Sequence, residues 1–148
     1  MAALQETRVD IDPECNPDIV ADMRNLGDIG KYDILFCSHA LEHLYPHEIV
    51  PTLKGFRNVL NEGGAAVIIV PNLEKIRPTR EVVYESPCGP VTGHDMYYGM
   101  GKCVEQTPYM AHHCGFVPET LTLDMEGAGF QNVYSMADES YNLIGIGS

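Results

Sequence analysis

Hydrophobic residues in this chain fall into short blocks whose spacing alternates between strand-like and helix-like patterns. The run Tyr32–Cys37 is almost wholly apolar, and Ala65–Val70 is entirely so. Apolar runs of this length, bounded by turn residues, are typical of strands that are buried on both faces. Shorter β-branched runs at Arg8–Ile11 and Ile19–Ala21 predict two further strands.

Two helices are predicted between and after these strands. Apolar residues within Ile49–Leu60 recur at helical spacing, with Pro51 near the predicted start and the glycine pair after Glu62 as the predicted stop. A second helix is predicted over Pro118–Ala128. Both patterns indicate helices that place one apolar face against a sheet.

The remaining segments complete the predicted fold class. Gln131–Met136 and Tyr141–Ile146 predict two final strands that pair antiparallel at one edge. Residues 73–115 are rich in proline and glycine and predict a long irregular insertion with one helical turn. The order of elements predicts a single α/β domain over residues 1–148 with a largely parallel sheet.

Composition and charge narrow the function classes. The chain has 148 residues and a net charge of -12, and such a surface repels phosphate backbones, so we expect no nucleic-acid partner. The longest apolar run is too short to span a bilayer and the N-terminus has no signal pattern, so we expect no membrane association. The five cysteines form no C-x-x-C pair, which predicts free thiols in the cytoplasm.

Each of the first two strands is followed by aspartate. Val9–Pro13 contains Asp10 and Asp12, and a carboxylate at the carboxyl end of a parallel strand can bind both hydroxyls of a ribose. Asp-Pro turns also use aspartate to cap backbone groups, and the residues alone leave both roles open. Asp22 follows the second strand and precedes Met23, a pair that can hold an adenine amine and cover its ring.

The longest motif is Tyr32–Leu44, in which the apolar strand YDILFC is followed by SHALEHL. A helix ending in RNVLNEGG, a strand ending in VPN and the segment EGAGF come later in the chain. In this order the segments resemble the class I S-adenosylmethionine-dependent methyltransferases, of the type 11-like kind. Gly93–Gly99 and Tyr109–Phe116 are similar to an insertion found in some bacterial members.

The resemblance implies an incomplete Rossmann-like methyltransferase fold, S-adenosylmethionine as cofactor, and methyl transfer to an unidentified acceptor, which we expect to be a small molecule. The cofactor-binding residues that it implies are Asp10 for the ribose with Asp12 as second choice, Asp22 and Met23 for the adenine, and Ser38 and His39 at the end of the fourth strand of the family. The candidates for the substrate side are His43, His94, Tyr98 and His112.

The first strand of that family and its GxGxG loop have no counterpart here, since only seven residues precede Arg8. That loop lets the backbone approach the methionine half of the cofactor, so we expect this chain alone to bind S-adenosylmethionine weakly or not at all. The strands around Val9 and Leu35 flank the missing strand and are expected to become parallel neighbours, or to be bridged by another chain. The uncovered apolar surface predicts a homo-oligomer or an N-terminal partner.

Two alternatives from other classes remain. The chain is a non-catalytic methyltransferase-like subunit or relic with a binding role if the missing loop is never supplied. The segment His39–His43 also fits H-x-x-E-H, an inverted zinc-peptidase pattern. That pattern needs a longer helix and a third ligand, whereas Pro46 follows closely, so we expect no metal ion. His94 and the segment His112–Cys114 are expected to belong to a substrate lid, or to satisfy backbone groups of the insertion.

Overall fold

Strands and helices alternate along the chain as the hydrophobic pattern predicts, and the computed structural model describes residues 5–148. The strands are β1 (Val9–Asp10), β2 (Ile19–Val20), β3 (Tyr32–Ser38), β4 (Leu60–Pro71), β5 (Val82–Ser86), β6 (Gly89–Thr92), β7 (Tyr134–Ala137) and β8 (Asn142–Gly147). The α-helices are α1 (Pro46–Asn58), α2 (Gly93–Tyr98), α3 (Gly101–Gln106) and α4 (Pro118–Gly127), and short 3-10 helices cover Pro13–Cys15, Leu41–His43 and Pro108–Met110.

A four-stranded mixed sheet in the order β3-β4-β8-β7 forms the centre of the fold. β3 and β4 run parallel with Leu35 opposite Ala66, whereas β8 is antiparallel to both β4 and β7. The α/β fold class and the antiparallel pair at the edge are therefore confirmed, whereas the sheet is mixed rather than largely parallel. β1 and β2 form a separate parallel pair, and β5 and β6 form a hairpin.

The core lies between one face of this sheet and the helices α1 and α4. Ala66, Ile68 and Val70, at alternate positions in the second half of β4, point into this layer and are fully buried. Gly145 of β8 lies directly beneath α4, because a Cβ atom there would come within 2.8 Å of the side chains of Leu121 and Met125. Glycine at this position lets the helix pack closely on the sheet.

The opposite face of the sheet is apolar and uncovered within residues 5–148. On β3, Ile34 and Phe36 are 60% and 66% exposed, so the prediction that this strand is buried on both faces is wrong. The apolar run does form a strand, as predicted, but no helix packs over its second face in the described chain. The same face continues across the other strands through Val67, Ile69, Ile144, Ile146, Tyr134 and Met136.

The prediction that the strands around Val9 and Leu35 pair directly is also wrong within this chain. β3 is an edge strand, and β1 pairs with β2 instead. After β2 the chain turns so that Met23 and Leu26 pack against the helical side of the core. The backbones of β1 and β2 thus pair with each other. The outer edge of β3 has no strand beside it in residues 5–148.

Helix α1 differs from its prediction at both ends. It begins at Pro46 rather than near Pro51, because the Glu48 carboxylate accepts a 2.9 Å hydrogen bond from the Tyr45 N–H and caps the first turn. It ends at Asn58, and the predicted glycine stop lies inside β4. Those glycines, the first with φ of 77°, instead form an irregularity where the β3–β4 register shifts.

The insertion at 73–115 is more regular than predicted. It contains the β5–β6 hairpin and two short helices, and it buries a small cluster of its own around Ile76, Val91 and Met96. Thr92 and Asp95 start α2 with reciprocal hydrogen bonds between side chain and backbone. A capped helix next to a hairpin explains why the segment is more regular than its proline and glycine content predicts.

Candidate functional site

The carboxyl ends of β3 and β4 meet at one edge of the sheet, where β3 turns into the 3-10 helix Leu41–His43. His39 sits at this turn with a left-handed φ of 49°. Its N–H donates to the carbonyl of Ile69 at 2.8 Å, so the sheet ladder extends to the turn itself. The conformation is one that side chains rarely adopt, and it projects the segment after Ser38 away from the strand direction.

A buried carboxylate lies directly behind this turn. Glu42 is only 1% exposed. Its Oε1 atom lies 3.4 Å from Nδ1 of His39, whereas Oε2 has no hydrogen-bond partner. The Nε2 atom of the same histidine contacts Oδ1 of Asn142 at 3.1 Å. A carboxylate in this position carries a large desolvation cost, which one ion pair offsets only in part.

Two further histidines face this carboxylate from different parts of the chain. Nδ1 of His43 donates to the carbonyl of Ala111 at 3.2 Å, and Nδ1 of His112 donates to the carbonyl of Met96 at 3.0 Å. The two rings meet edge to face with centroids 5.1 Å apart. Glu42, His43 and His112 each offer one ligand atom, and these atoms lie within 4.8 Å of one another.

The pKa values of His39 and His112 are shifted in opposite directions. The hydrogen bond to Glu42 raises the pKa of His39, although burial acts in the opposite direction. Burial lowers the pKa of His112, against a smaller effect of its bond to the Met96 carbonyl. Within the cluster, the charged form is therefore favoured at His39 and disfavoured at His112.

The thiols beside this cluster are not activated. Burial raises the pKa of Cys37 to about 12, and burial is also the main cause that raises the pKa of Cys114. Both side chains are therefore protonated thiols at neutral pH and poor nucleophiles.

An open cleft of about 420 Å³ lies on the insertion side of the cluster. Tyr98 and His112 both line it, and Tyr98 is 53% exposed. The ring of His94 packs against Tyr98 with centroids 4.6 Å apart and is exposed to solvent. The structure thus brings His112 and Tyr98 to one cleft, with His43 against His112 and His94 against Tyr98.

The predicted ribose-binding acids lie in exposed turns. Oδ1 of Asp10 accepts from the N–H of Asp12, and Oδ1 of Asp12 accepts from the N–H of Glu14, each at 2.8 Å. The capping role that such turns favour is therefore the one seen in this structure. Because β1 and β2 are parallel, Asp10 at the last position of β1 and Asp22 two residues after β2 lie at the same end of the pair. Their roles toward a cofactor stay predictions.

Asp22 is already engaged by a neighbouring arginine. Nη2 of Arg24 lies 2.6 Å from its Oδ2, and Nη1 of Arg24 lies 3.0 Å from Oε1 of Glu48. Met23 between them is half-buried and packs against the core. The Asp22 carboxylate at the predicted adenine site is therefore already paired with Arg24. An adenine amine that binds there has to compete with Arg24 for the same oxygens.

Replacing Arg24 with glutamine is expected to raise the pKa of Asp22. The hydrogen bond from the Arg24 side chain holds that pKa below its usual value, and this outweighs the opposing effect of burial. An NMR titration that follows the side-chain carboxyl carbon of Asp22 measures the change. Arg8→Gln, which removes an exposed cation next to Asp18, serves as the matched control. An unchanged Asp22 pKa in the Arg24 variant contradicts the assigned cause.

The H-x-x-E-H segment does not form the helix that the zinc-peptidase pattern requires. Only Leu41–His43 is helical, as a single 3-10 turn, and His39 lies outside it in a left-handed conformation. His39 and His43 are therefore not consecutive ligands on one face of an α-helix. Glu42 is not among the site residues predicted from the sequence. Its position three residues after His39 in the H-x-x-E-H pattern is the signal that could have indicated it.

Comparison with known proteins gives a match at the level of structure. No family model matches the sequence, and no curated protein matches it. Human N-acetylserotonin methyltransferase in complex with SAM superposes with a TM-score of 0.56 at 10% identity over 86% of this chain. The CcbJ methyltransferase from Streptomyces caelestis gives 0.59 at 14% identity over 87% of this chain. An O-methyltransferase family protein from Burkholderia thailandensis gives 0.52 at 13% identity over 86%. The chain has a methyltransferase fold.

The matched region is only part of each of those proteins. This chain covers 32% of the human enzyme, 62% of the Streptomyces enzyme and 32% of the Burkholderia protein. The structural similarity is therefore limited to the part of each of those proteins that superposes on this chain.

Proposed function

We propose that this chain is the cofactor-facing part of a type 11-like S-adenosylmethionine-dependent methyltransferase that acts on a small-molecule acceptor. The observation that carries the proposal is the polar edge at the ends of β3 and β4, in a fold that the compared methyltransferases share. In open α/β sheets, ligands bind outside the carboxyl ends of the strands. The SHALEHL motif begins at that edge.

In this proposal the residues have separate roles. Asp10, with Asp12 as second choice, binds the ribose, and Asp22 with Met23 borders the adenine. Ser38 and His39 border the cofactor at the end of β3. The cofactor supplies an electrophilic methyl group when it is bound, and the chain contributes mainly by orienting the two reactants. His43, His94, Tyr98 and His112 lie on the acceptor side, and His94 is the member that is open to solvent.

We expect S-adenosylhomocysteine to bind residues 5–148 with a millimolar dissociation constant. The adenosine half has partners in Asp10, Asp22 and Met23, whereas no strand in residues 5–148 runs into a GxGxG turn for the methionine half. Loss of two hydrogen bonds to charged groups costs about 3 to 6 kcal/mol, or roughly two to four powers of ten in affinity. Backbone amide chemical shifts followed by NMR during a titration measure this binding.

The pattern of shifts tests the proposal independently of the affinity. Shifts are expected at Asp10, Asp22 and Ser38, and adenosine alone is expected to reach an affinity within roughly tenfold of the complete ligand. Asp22→Asn should weaken binding, whereas Asp28→Asn, at an exposed aspartate in the following loop, should not. A low-micromolar constant contradicts the weak-binding expectation, and the absence of shifts up to about 10 mM contradicts the cofactor site itself.

A second candidate function is a non-catalytic subunit that keeps the fold for binding or assembly. It is favoured by the turns in which Asp10 and Asp12 cap backbone N–H groups and Asp22 pairs with Arg24. In that case the carboxylates are structural, and nucleosides leave the amide shifts of the β1–β2 turns unchanged. The same NMR titration therefore separates the two functions.

We propose that the protein is cytoplasmic, and that it is a homo-oligomer or binds an N-terminal partner with a glycine-rich loop. Within residues 5–148 no helix is both long enough and apolar enough to cross a membrane. The five cysteines are unpaired, which is the usual state in a reducing compartment. The apolar open face of the sheet and the free edge of β3 support an additional chain or segment at that position.

A further inference from the structure

We infer that Glu42, His43 and His112 form a binding site for a divalent transition-metal ion. The three side chains come from the turn after β3 and from the end of the insertion, and their ligand atoms converge within 4.8 Å. This inference does not depend on the methyl-transfer proposal. In this inference His43 and His112 bind a metal ion instead of contacting the methyl acceptor. It differs from the sequence-based expectation that no metal ion is bound.

The hydrogen bonds of the two imidazoles decide which ring nitrogen is free to bind a metal ion. A carbonyl oxygen can only accept, so Nδ1 of His43 and Nδ1 of His112 both carry the proton. The Nε2 atoms then hold the free lone pairs. This is the arrangement of metal-binding histidines, in which a second-shell carbonyl sets the tautomer and the orientation of the ring.

The carboxylate supplies the second, independent observation. Oε2 of Glu42 is buried and has no hydrogen-bond partner within residues 5–148, while Oε1 lies 3.4 Å from Nδ1 of His39. A carboxylate oxygen of Glu42 and one ring nitrogen of each histidine lie within 4.8 Å of one another. A buried carboxylate oxygen without a donor is costly, and a cation held between these atoms would compensate it. His39 is fixed in turn by Asn142, so the carboxylate is oriented from behind as ligating carboxylates are.

The donor set determines the class of metal. Two imidazole nitrogens and one carboxylate oxygen suit Zn²⁺ and the neighbouring transition metals, whereas Mg²⁺ and Ca²⁺ prefer oxygen ligands alone. Ligand atoms around tetrahedral zinc lie about 3.3 Å apart, so the site closes with side-chain shifts of roughly 1 Å. Three protein ligands leave a position for water or substrate, and His112 connects that position to the open cleft.

This site differs from the H-x-x-E-H peptidase arrangement. His39 is an outer-shell residue here rather than a ligand, and Glu42 is a ligand rather than a general base. The third ligand, His112, comes from the insertion and not from a neighbouring helix turn.

Titration of the full chain with Co²⁺ in the absence of any nucleoside tests the site. We expect a saturable 1:1 complex whose intense visible bands report fewer than six ligands, and we expect Zn²⁺ to displace it. Glu42→Gln and His112→Asn should each weaken Co²⁺ binding by at least about 100-fold, and His39→Gln by roughly 10-fold, because outer-shell partners typically contribute 10- to 100-fold. His47→Gln, at an exposed histidine outside the cluster, should leave the affinity unchanged.

Two results overturn the metal site. One is wild-type Co²⁺ binding that His47→Gln reduces as much as His112→Asn does. The other is an absence of saturable binding in a folded wild-type chain. In that case a proton on the Glu42 carboxyl group, rather than a metal ion, compensates its burial. Circular dichroism and thermal unfolding of each variant keep these outcomes separate from misfolding, and the His112 variant serves where Glu42→Gln disturbs the core. Because no nucleoside is present, the result is independent of cofactor binding.

Discussion

Replacing Phe116 with alanine is expected to lower the free energy of unfolding by about 3 to 5 kcal/mol. Phe116 is 1% exposed and lies in the main core with Leu121. Its carbonyl also accepts a 3.0 Å hydrogen bond from the N–H of Leu73, at the point where the insertion leaves and rejoins the domain. The substitution therefore creates a cavity next to the contact that joins the insertion to the sheet. Urea unfolding followed by circular dichroism measures the loss.

Phe36→Ala is the matched control, because the same side chain is removed from the open face of the sheet. Phe36 is 66% exposed, so the isolated chain should lose no more than about 0.5 kcal/mol. Equal losses in the two variants contradict the described burial. A loss at Phe36 that grows with protein concentration indicates a homo-oligomer formed through this face, which stays a prediction.

The elements that the sequence predicted well are those whose signal is local. Tyr32–Cys37 and Ala65–Val70 are long enough as apolar runs to indicate strands without any tertiary information, and β3 and β4 include them. What covers the second face of a strand is not encoded in the strand. An apolar residue such as Phe36 has the same pattern whether a helix lies over it or solvent does, so its exposure could not be predicted.

Glycine and proline gave the least reliable boundaries. The same Gly-Gly pair fits a helix stop and a bulged strand, and the structure uses it at the β3–β4 register shift, close to Asp33. Pro51 suits a first helical turn, but Pro46 occupies that place because the Tyr45–Glu48 hydrogen bond caps the helix earlier. Competing local signals of similar strength are decided by such side-chain contacts.

The candidate site was predictable only in part for a different reason. His39, Glu42 and His43 are neighbours in sequence and belong to one recognisable motif, H-x-x-E-H. Its partner His112 reaches the cluster through the fold of the insertion, where the carbonyl of Met96 fixes its ring. Contacts between distant segments leave no spacing signal in one sequence, so the group of three ligands emerges only from the structure.

Because the insertion helps to build the site, replacing Gly93 with alanine is expected to lower the free energy of unfolding and to disturb the site. Gly93 is buried at the start of α2, and a Cβ atom there would lie 2.0 Å from the carbonyl oxygen of Arg77. The clash is with backbone rather than with a flexible side chain, and hydrogen bonds from Gly93 N–H to Glu81 and from His94 N–H to Thr79 hold the two segments together. An alanine at this position therefore requires a shift of α2. The free energy of unfolding should fall by about 3 kcal/mol or more.

A loss of that size in a domain of this length lowers the unfolding temperature by roughly 6 to 12 °C. Gly101→Ala is the matched control, because it also lies at the start of a short helix in the insertion and a Cβ atom there meets nothing within 4 Å. Thermal unfolding compares the two variants, and hydrogen exchange of the α2 amides locates the change. Since the Met96 carbonyl on α2 orients His112, Gly93→Ala should also weaken Co²⁺ binding, whereas Gly101→Ala should not. Equal behaviour of the two variants contradicts the close packing of α2 against Arg77, and with it the argument that a rigid insertion positions His112.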